Sequence, residues 1–582
     1  MGRTKQNPLP HSKNNETLAN DFLHFFSSKI EKIRQDLDSM THDGAPCTDD
    51  LIANNKNNVL QSNTLIQFNM LNDSKVKQLV LGSKSTTCEL DIIPTDKLKL
   101  YIDHFLPSLT NIINASLSSG IFPEAWKKAF VKPLIKKKGL STVLKNYRPV
   151  SNLSFLSKII EKAALEQIIE HVESNGLLPD YQSAYRKNRG VETTLIKMYD
   201  DILNAADNKC VSIVVMIDLS AAFDTVDIPI LLSMLKMKFN IDGTPLKWIE
   251  SYLTDRTMNV LVNGQLSETQ KIKYGVPQGS CAGPVVFTLY IAALNLIVKN
   301  SCPGIIIYGY ADDHKLSITC KAGNDISEME STLALEKCLD DIITWMAKHK
   351  LKMNNDKTEV IAYGTKHQLN KLKIKRINVG GTEVKCVKSV RDLGVTFTNN
   401  IDLGKHIEQK CKTASFYLRN ILKVRHYLST SATHILVHGL VNSHLDFCNG
   451  LFIDLPQYQL KKLQTIQNRA ARVICNVKFD HSAEPLLRSL HWLPVRARIQ
   501  FKILTLVHKC LHGSAPAYLR NLLNFRVINR RVRSSDENML NIPRTNTQLA
   551  ERSFRVAGPK LWNTLPACLR SVVREDIDLG AT

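Results

Sequence analysis

Two adjacent carboxylates, Asp312 and Asp313, sit between apolar arms at residues 305–307 and 316–318. That pattern reads as a β-hairpin with its acids at or beside the turn. Neighbouring carboxylates repel, so a fold that presents them together has use for a divalent cation, and hard oxygens suit Mg²⁺ or Mn²⁺. Taken alone, the pair is better explained as a solvated tip, because turns favour Asp. A second stretch shifts the balance. In Val211-Ser-Ile-Val-Val-Met-Ile217 six of seven residues are apolar, and this buried-type strand runs straight into Asp218. A carboxylate at the end of a buried strand, next to a carboxylate-tipped hairpin, can hold two metal ions for in-line phosphoryl or nucleotidyl transfer.

The elements that must position these groups read outward from them. Residues 229–239 read as a helix, followed by Trp248-Ile-Glu-Ser-Tyr-Leu253 and a strand pair around Asn263-Gly264. Gly275-Val-Pro-Gln-Gly-Ser-Cys-Ala-Gly-Pro284 then precedes an apolar helix over 285–298. Gly275, Pro277, Gly279 and Gly283 let a backbone pass close to a ligand. As a bare pattern this is a loop before a helix; between two carboxylate motifs it points to a nucleotide site. Residues 333–347 read as a helix behind the hairpin, with Trp345 near its end.

Charge is distributed unevenly around this centre. Lys and Arg number 76 against 54 Asp and Glu, a net +22 with pI ≈ 9.3, which favours a polyanionic partner, nucleic acid before membrane. A ribosomal or chromatin protein would share that balance, so charge alone assigns no function. Between Ala125 and Ile160 stand nine basic residues and no acid: Lys127, Lys128, Lys132, Lys136, Lys137, Lys138, Lys145, Arg148 and Lys158. Most such runs are solvated faces, but one unbroken sign over this length suits phosphate contact. Further on, Leu460, Leu463, Ile466, Ala470 and Val473 share a helix face, while Lys461, Lys462, Arg469 and Arg472 stay off it. Near the start, Phe22, Phe25, Phe26, Ile30 and Ile33 share a face of a helix over 20–33, and 43–63 reads as a linker.

The 582 residues imply two to four domains of ordinary globular composition. Thirteen cysteines, with no C-x-x-C pair and no zinc spacing, read as reduced intracellular thiols. The N-terminus lacks the apolar core of a signal peptide, and no uninterrupted apolar run approaches the roughly 20 residues of a membrane span. These features give an intracellular expectation, with no membrane partner.

In order and spacing, Asp218 with Phe223 five positions on, Gly275-Val-Pro-Gln-Gly-Ser280 and Tyr310-Ala-Asp-Asp313 resemble the palm motifs of reverse transcriptases. The nearest likeness is to LINE-type (non-LTR, jockey-like) retrotransposon polymerases. Flanking blocks resemble the same family: Val131-Lys-Pro-Leu-Ile-Lys-Lys137, Asn146-Tyr-Arg-Pro-Val-Ser-Asn152, Gln182-Ser-Ala-Tyr-Arg186, Lys348-His-Lys-Leu-Lys-Met-Asn-Asn-Asp-Lys-Thr-Glu359 and Ser389-Val-Arg-Asp-Leu-Gly-Val-Thr-Phe397. So do Leu490-His-Trp-Leu-Pro and Ala557-Gly-Pro-Lys-Leu-Trp-Asn, and the likeness covers roughly residues 85–570.

The resemblance implies an α+β right-hand polymerase. A polar helical segment with linker (1–85) would precede basic fingers (86–200), an antiparallel-sheet palm (201–398), a helical thumb (399–480) and a helical C-terminal tail (481–582). It implies RNA-directed DNA synthesis, in which dNTPs are added to the 3′-hydroxyl of a DNA primer on an RNA template. Asp218, Asp312 and Asp313, with the main-chain carbonyl of Leu219, would hold two Mg²⁺ (or Mn²⁺) ions. Lys357 matches the lysine that protonates the departing pyrophosphate. Phe223 matches the aromatic that blocks a ribose 2′-hydroxyl, Gln278 and Gly279 would pack on the incoming base and sugar, and Tyr310 would support the primer end. Lys136 and Arg148 would contact the triphosphate; Asp224 and Asp227 read as cap or surface residues. Residence in the nucleus is implied only by the element's target. Two departures stand out: the chain begins too close to the polymerase blocks to be expected to carry the family's amino-terminal endonuclease, and it has no zinc knuckle. The alternative from another class is a catalytically silent nucleic-acid-binding protein derived from such an element. An RNA-dependent RNA polymerase shares the palm but is disfavoured by Phe223.

Overall fold

The near-continuous apolar strand Cys210–Ile217 lies inside a four-stranded antiparallel sheet, where both faces are covered. The structure is a computed structural model that describes residues 8–10, 14–40, 63–137, 139–301, 303–478, 480–526 and 538–570. Nearly all of the expected linker (residues 43–62), along with Lys138, lies outside the described residues. The fold is α+β with largely antiparallel sheets, and it divides into two compact units, each drawn from three segments.

One unit comprises Met1–Pro179, Asp218–Ser301 and Leu339–Asn354. Its sheet sets Lys128–Ile135 antiparallel to Tyr147–Asn152, with Leu134 opposite Arg148, and parallel to Arg256–Val262. The helix Asn15–Met40 packs Leu18, Phe22, Leu23 and Phe26 against Val131, Tyr147, Val260 and Val262. The expected apolar face is present, with Phe25 and Ile30 half-buried, and the helix runs well beyond the expected 20–33. Asn263 and Gly264 take positive φ (48° and 86°) between Arg256–Val262 and Gln265–Leu266, the two-residue hairpin geometry their types favour. The helix Ile228–Phe239 opens on the Asp227 cap and closes on a left-handed Asn240.

Two expectations change here. The apolar helix foreseen over 285–298 is two helices, Ala282–Ile291 and Leu294–Ser301. The stretch Ala282–Asn300 also reaches the length and hydropathy of a membrane span, but 72% of it is buried inside the protein, as in a core helix.

The other unit comprises Asp180–Ile217, Cys302–Cys338 and Asn355–Thr582. Its sheet runs Glu359–Tyr363, Cys210–Ile217, Asp313–Lys321, Ile306–Tyr310, with every neighbour antiparallel. The helices Val191–Asp207, Gly404–Val424, Gln457–Cys475, Val495–Leu511 and Phe554–Asn563 share one apolar core with it. Leu460, Leu463, Ile466, Ala470 and Val473 face that core; Lys461, Lys462 and Arg469 are exposed, and Arg472 is half-buried. The C-terminal segment is tied to Val191–Asp207 by charge. Arg555 donates through its backbone and Nε to the fully buried Asp200 (3.0 and 2.7 Å). Asp207 accepts from the Asn546 backbone and from Thr547 Oγ1 (3.0 and 2.7 Å).

Candidate active site

The acidic hairpin is tight. Tyr310 pairs with Asp313, which leaves Ala311 and Asp312 as a two-residue turn, and Ala311 holds a left-handed φ of 57° that costs a non-glycine residue conformational energy. Both carboxylates are exposed, whereas the flanking Ala311 and His314 are buried. Burial pushes the His314 imidazole down to about 4. Along the outer edge, Gly309 donates to the Tyr181 carbonyl (3.1 Å) and accepts from the Ser183 amide (3.0 Å). A Cβ on Gly309 would lie 2.9 Å from Gln182 Oε1, so a side chain there would require the Gln182 amide to shift. The segment delivers exposed Tyr185, at φ 59°, to the same tip: burial, then the charge of Asp312, raises its phenol. The sequence reading gave Tyr185 no place here; the glycine inside an apolar strand was the available signal.

Asp218 directly follows Ile217, and Ile217 lies opposite His314 in the sheet. The Asp218 carboxylate accepts from Asn354 Nδ2 (3.1 Å), and its carbonyl accepts from the Asn354 amide (2.9 Å). Leu219 and Ser220 then pair with Met353 and Lys352. Asn354, which the sequence reading passed over, is thus one residue that holds Asp218 through both side chain and backbone. Lys357 is exposed on the single turn Asn355–Lys357.

The glycine-rich loop is fastened to the turn that carries Phe223. Val276 donates to the Phe223 carbonyl and Gly275 to the Val226 carbonyl (both 2.8 Å). Gly275, at φ 85°, brings its Cα side to the Asp224 backbone, where a Cβ would meet atoms at 2.7 Å. The Phe223 ring, half-buried, lies 4.8 Å from that of Phe287. Asp227 is a helix cap as expected, and it also accepts from Arg34 (2.9 Å). Asp224 is neither cap nor free surface; burial raises its carboxyl to about 6. At the loop's far side, Ser151 donates to the Gln278 carbonyl (2.7 Å), and Gly279, at φ 126°, passes so close that a Cβ would meet Ser151 O at 2.4 Å. Ser151 belongs to the strand that carries Arg148. Exposed Arg148 donates to the Lys136 carbonyl (3.2 Å), and Lys136 Nζ donates to the Lys145 carbonyl (2.6 Å), so those two cations are neighbours.

Among the described residues no three His, Cys, Asp or Glu side chains gather as a metal-binding cluster. The carboxylates of Asp312 and Asp313 are exposed at the hairpin turn and that of Asp218 is half-buried at its strand end; oxygens of this kind are the hard donors that divalent cations take.

Residues 135–397 match the reverse transcriptase (RNA-dependent DNA polymerase) family. The RNA-directed DNA polymerase from mobile element jockey of Drosophila melanogaster is 24% identical over 408 residues, covering 69% of this chain and 43% of that protein. The probable RNA-directed DNA polymerase from transposon BS of the same species is 26% identical over 436 residues (73% and 47%). A Pol polyprotein of the type-1 retrotransposable element R2 from Popillia japonica is 34% identical over 91 residues (16% and 15%). The chain spans less than half the length of these relatives. Residues 135–397 are therefore similar to the reverse transcriptase family, and the chain is similar over about 70% of its length to the polymerases of jockey and of transposon BS.

Proposed function

We propose that this chain, with its reverse transcriptase domain at residues 135–397, is the RNA-directed DNA polymerase portion of a non-LTR retrotransposon. It would copy RNA by adding dNTPs to a primer 3′-hydroxyl. One observation carries the reading. The sheet register sets Ile217, the last strand residue before Asp218, opposite His314, and His314 directly follows the Tyr310–Asp313 pair that closes the acidic turn. Within the right-hand reading, residues 86–200 act as fingers, 201–398 as palm, 399–480 as thumb and 481–582 as a helical C-terminal region.

Asp218, Asp312 and Asp313, with the Leu219 carbonyl, supply the oxygens for divalent cations, two in this reading. Bound Mg²⁺ or Mn²⁺ lowers the pKa of the attacking hydroxyl and offsets charge on the leaving pyrophosphate. Asn354 holds the Asp218 carboxylate in orientation. Lys136 and Arg148 take the triphosphate, Gln278 and Gly279 the base and sugar, and Tyr310 the primer end. Phe223, braced by Phe287, excludes a 2′-hydroxyl, and Lys357 gives a proton to the leaving group. Work on target DNA places the protein in the nucleus as part of the same proposal.

The test is single-nucleotide addition by the purified chain on an oligo(dT) primer annealed to poly(rA). Addition of dTTP at least about tenfold more efficient than UTP is expected. Addition of UTP at equal efficiency would assign an RNA polymerase instead. RNA binding without any addition would leave a silent binding protein.

A further inference from the structure

The helix Phe155–Ser174 carries a carboxylate, Glu161, with 0% exposure. Its Oε1 accepts from Ser157 Oγ (3.0 Å), and its Oε2 accepts from the backbone amides of Cys281 (2.7 Å) and Ala282 (3.0 Å). Those amides open the helix Ala282–Ile291, whose own capping position, Cys281, makes no side-chain cap. A remote carboxylate therefore does the work usually done by a local Ser, Thr or Asp, at the helix end where negative charge is favoured. Burial raises the Glu161 carboxyl, while the amides and the charge of Arg256, itself 1% exposed, oppose that rise. The guanidinium lies 4.9 Å from the Tyr252 ring and donates to the Tyr252 carbonyl (2.9 Å).

Burying an ionisable group is a poor route to stability, since apolar residues of like volume do as well or better. A local cap at position 281 would satisfy the same amides. What the remote carboxylate adds is a fixed distance between two elements. Cys281 directly follows the Gly275–Ser280 loop, which is tied at its start to Phe223 and Val226 and in its middle to Ser151. Glu161 supplies the third tie, at the loop's exit, and Ser280 Oγ stiffens the exit by bonding Pro277 O and Gly283 N (both 2.8 Å).

We propose that Glu161 is a positioning residue for the incoming nucleotide: through the Cys281 and Ala282 amides it sets where Gln278 and Gly279 stand, and with that the affinity for dNTP. The inference rests on the polymerase reading above and adds to it a residue that touches no substrate.

The experiment compares the parent chain with Glu161→Met, Glu161→Gln and Ser157→Ala. Measured quantities are the KM for dTTP, the Kd for poly(rA)/oligo(dT), and hydrogen exchange of the peptide spanning 278–286. Glutamine can still accept from both amides, so E161Q stays within about threefold of the parent in KM. E161M loses protection in that peptide and raises KM at least about tenfold, with Kd within about twofold. S157A shifts KM the same way by less, and it carries the comparison if E161M does not fold. Faster exchange with an unchanged KM would overturn the positioning role. A parallel loss of KM, Kd and thermal stability would make Glu161 merely structural and overturn it too. A parent that binds RNA but adds no nucleotide would overturn the polymerase reading itself, and the exchange comparison would then show separately whether Glu161 anchors the loop.

Discussion

Phe223 owes its place to backbone bonds around it more than to its position five residues after Asp218. The Val276 amide holds its carbonyl, and its ring packs 4.8 Å from that of Phe287. Phe223→Ala should therefore open the sugar site: the ratio of ribonucleotide to deoxyribonucleotide incorporation should rise at least about tenfold at unchanged primer–template affinity. An unchanged ratio would remove Phe223 from that role. Gly279 is a steric case, since a methyl there meets the Ser151 backbone oxygen at 2.4 Å. Gly279→Ala should raise the KM for dNTP at least about tenfold, and steady-state kinetics at saturating primer checks it. At this scale the sequence was legible wherever a motif is local. That Asp312 and Asp313 stand at a hairpin turn and Asp218 at the end of a buried strand follows from type and spacing; the roles of Phe223 and Gln278 came from the resemblance. Asn354 and Glu161 were not legible, because their partners stand more than a hundred positions away, a distance no periodicity spans.

Hairpins and capped helices were readable as elements because their signals are chemical and short-range: Asn263-Gly264 for a turn, Asp227 before Pro229 for a helix start. The break at Ala292-Ala293 was not, as neither Gly nor Pro marks it. The helix Asn15–Met40 had the right face but no assigned partner. It pairs Arg34 with Asp227 (2.9 Å, both largely buried), lays the guanidinium 3.8 Å from the Tyr274 ring, and pairs Asp36 with Lys352 at the surface. Exposed pairs contribute little, whereas removing one partner of a buried pair costs roughly 3 kcal/mol. Arg34→Ala should thus destabilise several times more than Asp36→Ala in urea unfolding; equal effects would contradict the packing. His406, 1% exposed, accepts from the Thr396 amide (3.2 Å), and burial pushes its imidazole down to about 4. A depressed histidine binds its proton more readily once unfolded. Stability is therefore lost as pH falls from about 6.5 toward 4, by on the order of 3 kcal/mol. Thermal melts over that range should show the slope, and His406→Gln should reduce it, the buried His314 supplying a further part.

Across the whole molecule, the excess of 22 positive charges predicts an affinity for RNA that is largely counterion release. Raising salt from about 50 to about 200 mM should weaken RNA binding at least about tenfold, and a flat salt response would deny the basic surface a phosphate role. The α+β class was legible because apolar runs, turns and amphipathic helices declare themselves locally. The two interleaved units were not: each joins three segments, and a reading that moves along the chain cannot see which distant strand completes a sheet. The single measurement that bears most directly on the account is primer extension on poly(rA)/oligo(dT) with Mg²⁺, comparing the parent with Asp312→Ala and Asp313→Ala. The account predicts extension by the parent and a loss of at least about 100-fold in both variants, with RNA binding intact. Extension that survives both substitutions would contradict it.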